Sequence, residues 1–207
     1  QVCHNLILQQ DSQLWSYRPA LRLATSEAHV ETLRQSFEKA RRRLLIVCPF
    51  ITIHTIENDQ LIPLIRHTVQ RGVDVTIYTD SSLDYDMKNK HLLSHAKDGR
   101  NALIESGVTL IEVKGIHNKS LAIDNHTLIE GSFNWLSANR HKEYSRHECS
   151  IIVSSFQADE YINNLITELE SREKTFQSLS KTTIYLDIDQ KHPGFFTHES
   201  FNDCTDE

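Results

Sequence analysis

The amino-acid sequence predicts an α/β fold, a mixed β-sheet sandwiched between helices, and three observations carry that prediction. Short runs rich in apolar and β-branched residues recur at Leu44–Cys48, Val73–Tyr78 and Val108–Val113, with the length and content of strands in a covered sheet. Stretches with apolar residues at helical spacing separate them. Two further runs, Ser120–Ile123 and Thr127–Ile129, are joined around the turn Asp124-Asn125, which is too short for a crossover and makes them a hairpin. Crossover pairs together with a hairpin make the sheet mixed.

Taken in order, residues 1–25 hold only short apolar runs, Leu6-Ile-Leu8 and Leu21-Arg-Leu23, around polar residues and Pro19. They read as an N-terminal extension or linker. Ser26 is placed to cap a helix whose apolar positions Val30, Leu33, Phe37, Ala40 and Leu44 follow helical spacing. Its end, Lys39-Ala-Arg-Arg-Arg43, sets four bases where the helix dipole favours cations. The strand Leu44–Cys48 follows and Pro49-Phe50 closes it.

Asn58 or Asp59 is expected to cap the next helix, through Leu61, Ile62, Ile65 and Val69, with Pro63 tolerated in its first turn. Gly72 stops that helix, and Val73–Tyr78 completes a βαβ unit that should cross over right-handed. A polar loop over 80–86 leads to a helix from about Lys88 to Ser106, then to the strand Val108–Val113. Gly115 turns the chain into His117. Beyond the hairpin, 135–146 read as a loop or short helix and His147–Val153 as a strand. Tyr161, Ile162, Leu165, Ile166, Leu169 and Phe176 form the apolar side of a long helix. Residues 179–207 read as an acidic tail, with one short strand expected at Thr183–Leu186.

A chain of 207 residues can bury one sizeable core. Its 39% hydrophobic and 24% charged content is that of a soluble globular protein, and no run approaches the roughly 18 apolar residues of a membrane span. The formal charge of -6 is unevenly spread. From Asp187 onward six acids (Asp187, Asp189, Glu199, Asp203, Asp206, Glu207) accompany one base, Lys191, giving -5; residues 1–186 carry 22 acids and 21 bases, or -1. A nearly neutral body leaves a polyanionic partner open. Cys3, Cys48, Cys149 and Cys204 lie far apart and form no CxxC pair, which argues against a zinc ribbon or disulfide framework and fits a reducing cytoplasm. Cys48 and Cys149 lie in apolar runs, where cysteine acts as a small hydrophobe. A first residue of Gln1 rather than methionine is what a piece of a longer protein would show.

Residues able to do chemistry concentrate in Ile116–Trp135. His117 and Lys119 are two apart, so on an extended strand their side chains leave the same face and converge on one anion. Asp124 lies at an odd separation from both and is assigned a supporting role. The returning strand delivers Gly131-Ser132-Phe133-Asn134 beside them, and a phosphate-sized site follows. The pattern His117-x-Lys119-x4-Asp124, six residues, then Gly131-Ser132-x-Asn134 resembles the phospholipase D superfamily, with all six positions in register.

That resemblance implies a phospholipase D-like fold for a catalytic domain over residues 26–178. It also implies a role for each matched residue. His117 would attack phosphorus and form a phosphohistidine, while a second histidine protonates the leaving oxygen and then activates water. Lys119 would neutralise non-bridging oxygens, with Ser132 and Asn134 adding hydrogen bonds. The downstream glutamate of the family matches best at Glu148, with Glu143 as the fallback, and would hold the other ring nitrogen of the nucleophile. Arg146 stands where the family commonly has asparagine. No metal or other cofactor is implied. The family site uses two such motifs and this chain has one, because His91, His95, His141 and His147 lack the following aspartate and Gly-Ser. The implied assembly is a homodimer pairing His117 with its symmetry mate.

Single-motif members of the superfamily look mostly like nucleases, so the expected activity is a metal-independent phosphodiesterase, an endonuclease cleaving DNA or RNA. Gly131, Trp135, Arg140, Lys142 and Arg146 are the expected substrate-binding residues, with Trp135 and Tyr144 as stacking surfaces. Three alternatives stand beside it. One is a phospholipase-type lipid phosphodiesterase, disfavoured because no exposed amphipathic segment suits a membrane surface. Another is a non-catalytic dimerisation module of a larger helicase or ATPase protein. The third is metal-dependent hydrolysis at Asp80, Asp84 and Asp86, or at His91 and His95.

Overall fold

The computed structural model describes residues 20–86, 88, 91–139, 146–156 and 158–189. In chain order the elements are β1 (Ala20–Thr25), α1 (Ser26–Lys39), β2 (Arg43–Val47), α2 (Ile53–Asn58), α3 (Leu61–Gln70), β3 (Asp74–Thr79), β4 (Tyr85–Asp86), β5 (His91–Leu92), α4 (Ser94–Glu105), β6 (Thr109–Glu112), β7 (Lys119–Ile123), β8 (Thr127–Gly131), β9 (Cys149–Ser154) and α5 (Ala158–Asp189). Seven strands make one sheet in the order β1-β9-β8-β7-β2-β3-β6. The pairs β2–β3 and β3–β6 are parallel, and β2–β7, β7–β8, β8–β9 and β9–β1 are antiparallel. The sheet is therefore mixed, as the crossover and hairpin patterns predict.

Alternation along the central strands explains the two cores. Leu44, Ile46, Ile77, Leu121 and Ile129 pack on one face against Leu33 and Phe37 of α1, Ile56 of α2, Leu61 and Ile65 of α3 and Leu103 of α4. Leu45, Val47, Tyr78 and Ala122 point the other way onto Ala158, Ile162 and Leu169 of α5. That double coverage is why β2 reads as one unbroken apolar run. The outer strands are less covered: Leu21, Leu23 and Ile151, on the α5 side of β1 and β9, are 63%, 65% and 44% exposed.

Several elements depart from the sequence expectation. Residues 20–25 are not linker: they form β1, paired from Ala20↔Ser154 to Thr25↔Cys149. A short helix, α2, precedes the expected one, and α3 is entered through Gln60 in the left-handed region (φ 51) instead of a cap at Asn58 or Asp59. The helix expected from Lys88 begins only at Ser94, because Tyr85–Asp86 and His91–Leu92 pair as a two-residue ladder and Leu93 N–H bonds to Asp84 O. Thr183–Leu186 is not a strand, since α5 continues to Asp189. Among the described residues, no helix is long and apolar enough to cross a membrane.

Candidate active site at the carboxyl edge of the sheet

The parallel strands β2, β3 and β6 all end on one edge, where α/β sheets commonly bind ligands. Antiparallel pairing brings the start of β7, the end of β8 and the start of β9 to the same edge. The segment Val113–Asn118 crosses it. Gly115 supplies a left-handed turn (φ 79) there, and Ile116, 3% exposed, anchors the segment in the core under α5.

His117 is exposed, whereas Lys119 is buried at 8% exposure. Lys119 Nζ lies 3.1 Å from His117 Nδ1 and 3.3 Å from Nε2, and donates to the His117 carbonyl oxygen. The imidazole is thus laid across an ammonium group, with Phe50 edge-on at 6.3 Å between ring centroids. Burial pulls the Lys119 pKa below its ordinary 10.5, against the opposing fields of Cys48 and Glu148. Glu148 is half-buried just before β9, whose start lies on the same edge. Cys48 lies beneath: its thiol donates to Phe50 O at 3.1 Å and accepts from Leu136 N at 3.4 Å, and burial raises its pKa to about 11.

The Gly131-Ser132-x-Asn134 segment adjoins this pair. Ser132 is exposed, and its Oγ accepts from Cys149 N at 3.3 Å while its N–H bonds to Cys149 O at 3.1 Å. Cys149, expected in an apolar setting, is exposed. Asn134 caps the following turn, its backbone oxygen accepting from Ser137 N and Ala138 N at 3.3 and 2.9 Å. Its side-chain Oδ1 is buried and accepts no hydrogen bond from the described residues.

Three predicted site residues have other jobs. Trp135 is fully buried, and its Nε1 donates to Lys119 O at 3.2 Å, so it braces the lysine from below instead of stacking on substrate. Gly131 is needed for packing: a Cβ there would lie 2.2 Å from Ser150 Oγ and 2.4 Å from Cys149 O. Asp124 lies five residues along β7 from Lys119, about 16 Å away, and cannot join the chemistry. Its carboxylate instead accepts from the backbone N–H groups of Arg41, Arg42 and Arg43 at 3.1, 2.7 and 3.1 Å, and these bonds, opposing desolvation, bring its pKa below 3.8. Arg146 is exposed two residues before Glu148. Arg140, Lys142, Glu143 and Tyr144 lie outside the described residues.

Two supporting residues escaped sequence reasoning. Phe50 abuts the imidazole, and nothing but its place after a strand could have marked it. His29 of α1 is fully buried, bonds Ser150 Oγ through Nε2 at 2.8 Å and stacks on Phe133 at 4.2 Å, bracing the Ser132–Asn134 segment from within the core. Its spacing with Leu33, Phe37 and Ala40 puts it on the buried stripe of the helix, a signal that was available. The alternative metal ligands are otherwise engaged: Asp80 binds Gly115 N and Ser82 N, and Asp84 binds Arg100 and Ile51 N. Among the described residues, no three His, Cys, Asp or Glu side chains gather around one point.

An imidazole lying on a buried ammonium, next to Gly-Ser-x-Asn at the carboxyl edge of a mixed sheet, marks a protein of the phospholipase D class. Residues 33–172, more than half of the chain, match the family described as "Cardiolipin synthase, PLD-like domain". The chain belongs to this phospholipase D-like family, within a phosphodiesterase superfamily. Its fold is similar to that of Nuc, a phospholipase D family member from Salmonella typhimurium, at 17% identity and a TM-score of 0.56 over 75% of this chain and 94% of that one. NucT from Helicobacter pylori is similar at 14% identity and a TM-score of 0.54, over 75% of this chain and 98% of that one. Polyphosphate kinase from Porphyromonas gingivalis shares the fold at 11% identity and a TM-score of 0.54, over 73% of this chain but 26% of that larger one. No curated protein matches the sequence.

Proposed function

We propose that this protein is a metal-independent phosphodiesterase that cleaves DNA or RNA through a phosphohistidine, at a site shared by two copies of the chain. The observation that carries this reading is the exposed His117 ring held against the buried Lys119 ammonium. A ring nitrogen of His117 attacks phosphorus, and the P–O bond to the leaving group breaks as the P–N bond forms. Lys119 balances charge on the non-bridging oxygens, and a histidine of the second copy gives its proton to the leaving oxygen. Deprotonated by that step, the second histidine takes a proton from water, whose oxygen attacks phosphorus and releases His117. Glu148 orients the nucleophile. Ser132, exposed at the same edge, bonds the phosphate, joined by the Asn134 amide, and Arg146 meets the flanking backbone charge.

Cleavage of single- and double-stranded DNA and RNA in chelator, compared with a lipid phosphodiester and with His117→Ala as control, tests the activity. Preference for the lipid would favour the second reading, a lipid phosphodiesterase, which the family description supports. No cleavage of any of them would leave a tethering module within a larger protein. Sharing of the site is tested by mixing His117→Ala with wild-type chains at equal concentration. Random pairing should leave about a quarter of the activity if both histidines serve one site, and about half if each copy works alone.

A further inference from the structure

We propose that Asp80 is a positioning residue for His117, acting through the backbone of Gly115; this rests on His117 being the nucleophile. Asp80, 3% exposed, follows β3 on the reactive edge. Its Oδ2 accepts from Gly115 N at 2.6 Å, and its Oδ1 accepts from Ser82 N at 3.0 Å and from Ser82 Oγ at 2.5 Å. Gly115 is the left-handed residue that turns the chain toward the imidazole two positions later. A charge-assisted bond to that amide fixes the turn, and buried Ile116 carries its orientation on to His117.

The backbone around Asp80 is itself held. Glu112 Oε2 accepts from the neighbouring Ser81 N at 2.8 Å, while its Oε1 takes Arg100 Nε at 3.0 Å. Arg100, 5% exposed, also bridges to Asp84 at 3.0 Å, and Asp84 Oδ2 accepts from Ile51 N at 3.3 Å. Asp80 N completes the circuit by donating to Pro49 O at 3.4 Å. The loop bearing Phe50 and the loop bearing His117 are therefore both fastened to the Asp80–Asp84 segment, which Arg100 and Glu112 brace, and this sets how the two rings meet. Such a framework matters to catalysis because reacting groups misplaced by about 1 Å lose on the order of 100-fold in rate.

Asp80→Ala should lower kcat for chelator-resistant phosphodiester cleavage by about 100-fold and leave KM within about threefold. The His117 ring resonances should move while those of buried His29 stay. Asp80→Asn, which keeps one neutral carbonyl acceptor for the Gly115 amide but sets its NH2 against the Ser82 amide, should recover only part of the rate. Gly115→Ala should cause a similar loss, and the double variant should be no worse than the poorer single, because both act on one turn. Losses that multiply in the double variant, or a rate within about twofold of wild type with His117 resonances unmoved, overturn the proposal. If wild type cleaves nothing, the nucleophile reading falls, and the His117 resonances alone decide whether Asp80 positions the ring. If Asp80→Ala does not fold, Gly115→Ala carries the test, and unchanged rate and resonances there overturn it.

Discussion

Strand β7 carries a motif residue at each end, and the two ends are built in opposite ways. At its start Lys119 is buried with its ammonium against an imidazole, and burial lowers its pKa. At its finish Asp124 sits in a left-handed turn (φ 52), its carboxylate filled by three backbone amides that lower its pKa. One end holds a charge that the fold disfavours, and the other a charge that the fold satisfies. The contrast separates a chemical end from a structural end across one strand of five residues and the turn residue that follows it.

Substitutions should therefore divide cleanly between the ends. The largest effect is expected for Lys119→Met: phosphodiester cleavage should fall by about three orders of magnitude or more. Its thermal stability should stay within about 1 kcal/mol of wild type, because a disfavoured buried charge is exchanged for a similar apolar volume. A large loss of stability with activity retained would break the comparison. Gly131→Ala should cost about 3 kcal/mol, seen as a lower denaturant midpoint, since its Cβ would meet Cys149 O at 2.4 Å.

At the other end, Asp124→Ala should cost about 2 to 3 kcal/mol by stranding three amides, while the folded protein keeps its rate per site. The pH dependence sharpens this. Because the folded-state pKa of Asp124 lies below its ordinary 3.8, its contribution to stability is present above that value and is lost as pH falls through the folded pKa. Asp124→Asn should remove that part of the acid sensitivity in unfolding curves. The smallest effect is expected for Trp135→Phe, about 1 kcal/mol from the lost bond to Lys119 O. Its KM for nucleic acid should be unchanged; a marked rise would restore the tryptophan as a stacking surface.

What was legible in the sequence was whatever depended on neighbours along the chain. The runs at Leu44, Val73 and Val108 announced strands because both of their faces are covered, and Gly115, His117 and Lys119 lie close enough together for spacing to predict their meeting. Partners far apart were hidden. Leu21-Arg-Leu23 looked like linker because the strand that completes β1, β9, begins far along the chain at Cys149 and leaves its outer leucines exposed. Asp124 stands just past β7, in a left-handed turn where strand parity no longer applies, and its three amides belong to residues 41–43 and could not be inferred. At Thr183–Leu186, β-branched residues suggested a strand, and the continuing helix overrode that local preference. Trp135 and Gly131 looked like substrate contacts because their motif is functional, whereas Trp135 is buried in the core and Gly131 is crowded by Cys149 and Ser150 of β9.

The path of β1 fixes which side of the molecule can be handled without harm. Thr25 lies beside Cys149, next to Ser132, while Ala20 lies beside Ser154 at the opposite end of the sheet. Six residues of strand, about 17 to 20 Å, thus separate the point where the chain enters β1 from the imidazole edge. The backbone at Ala20 therefore lies at the end of the sheet away from the imidazole. Immobilised through the Ala20 end of β1, the protein would keep its reactive edge open to solvent.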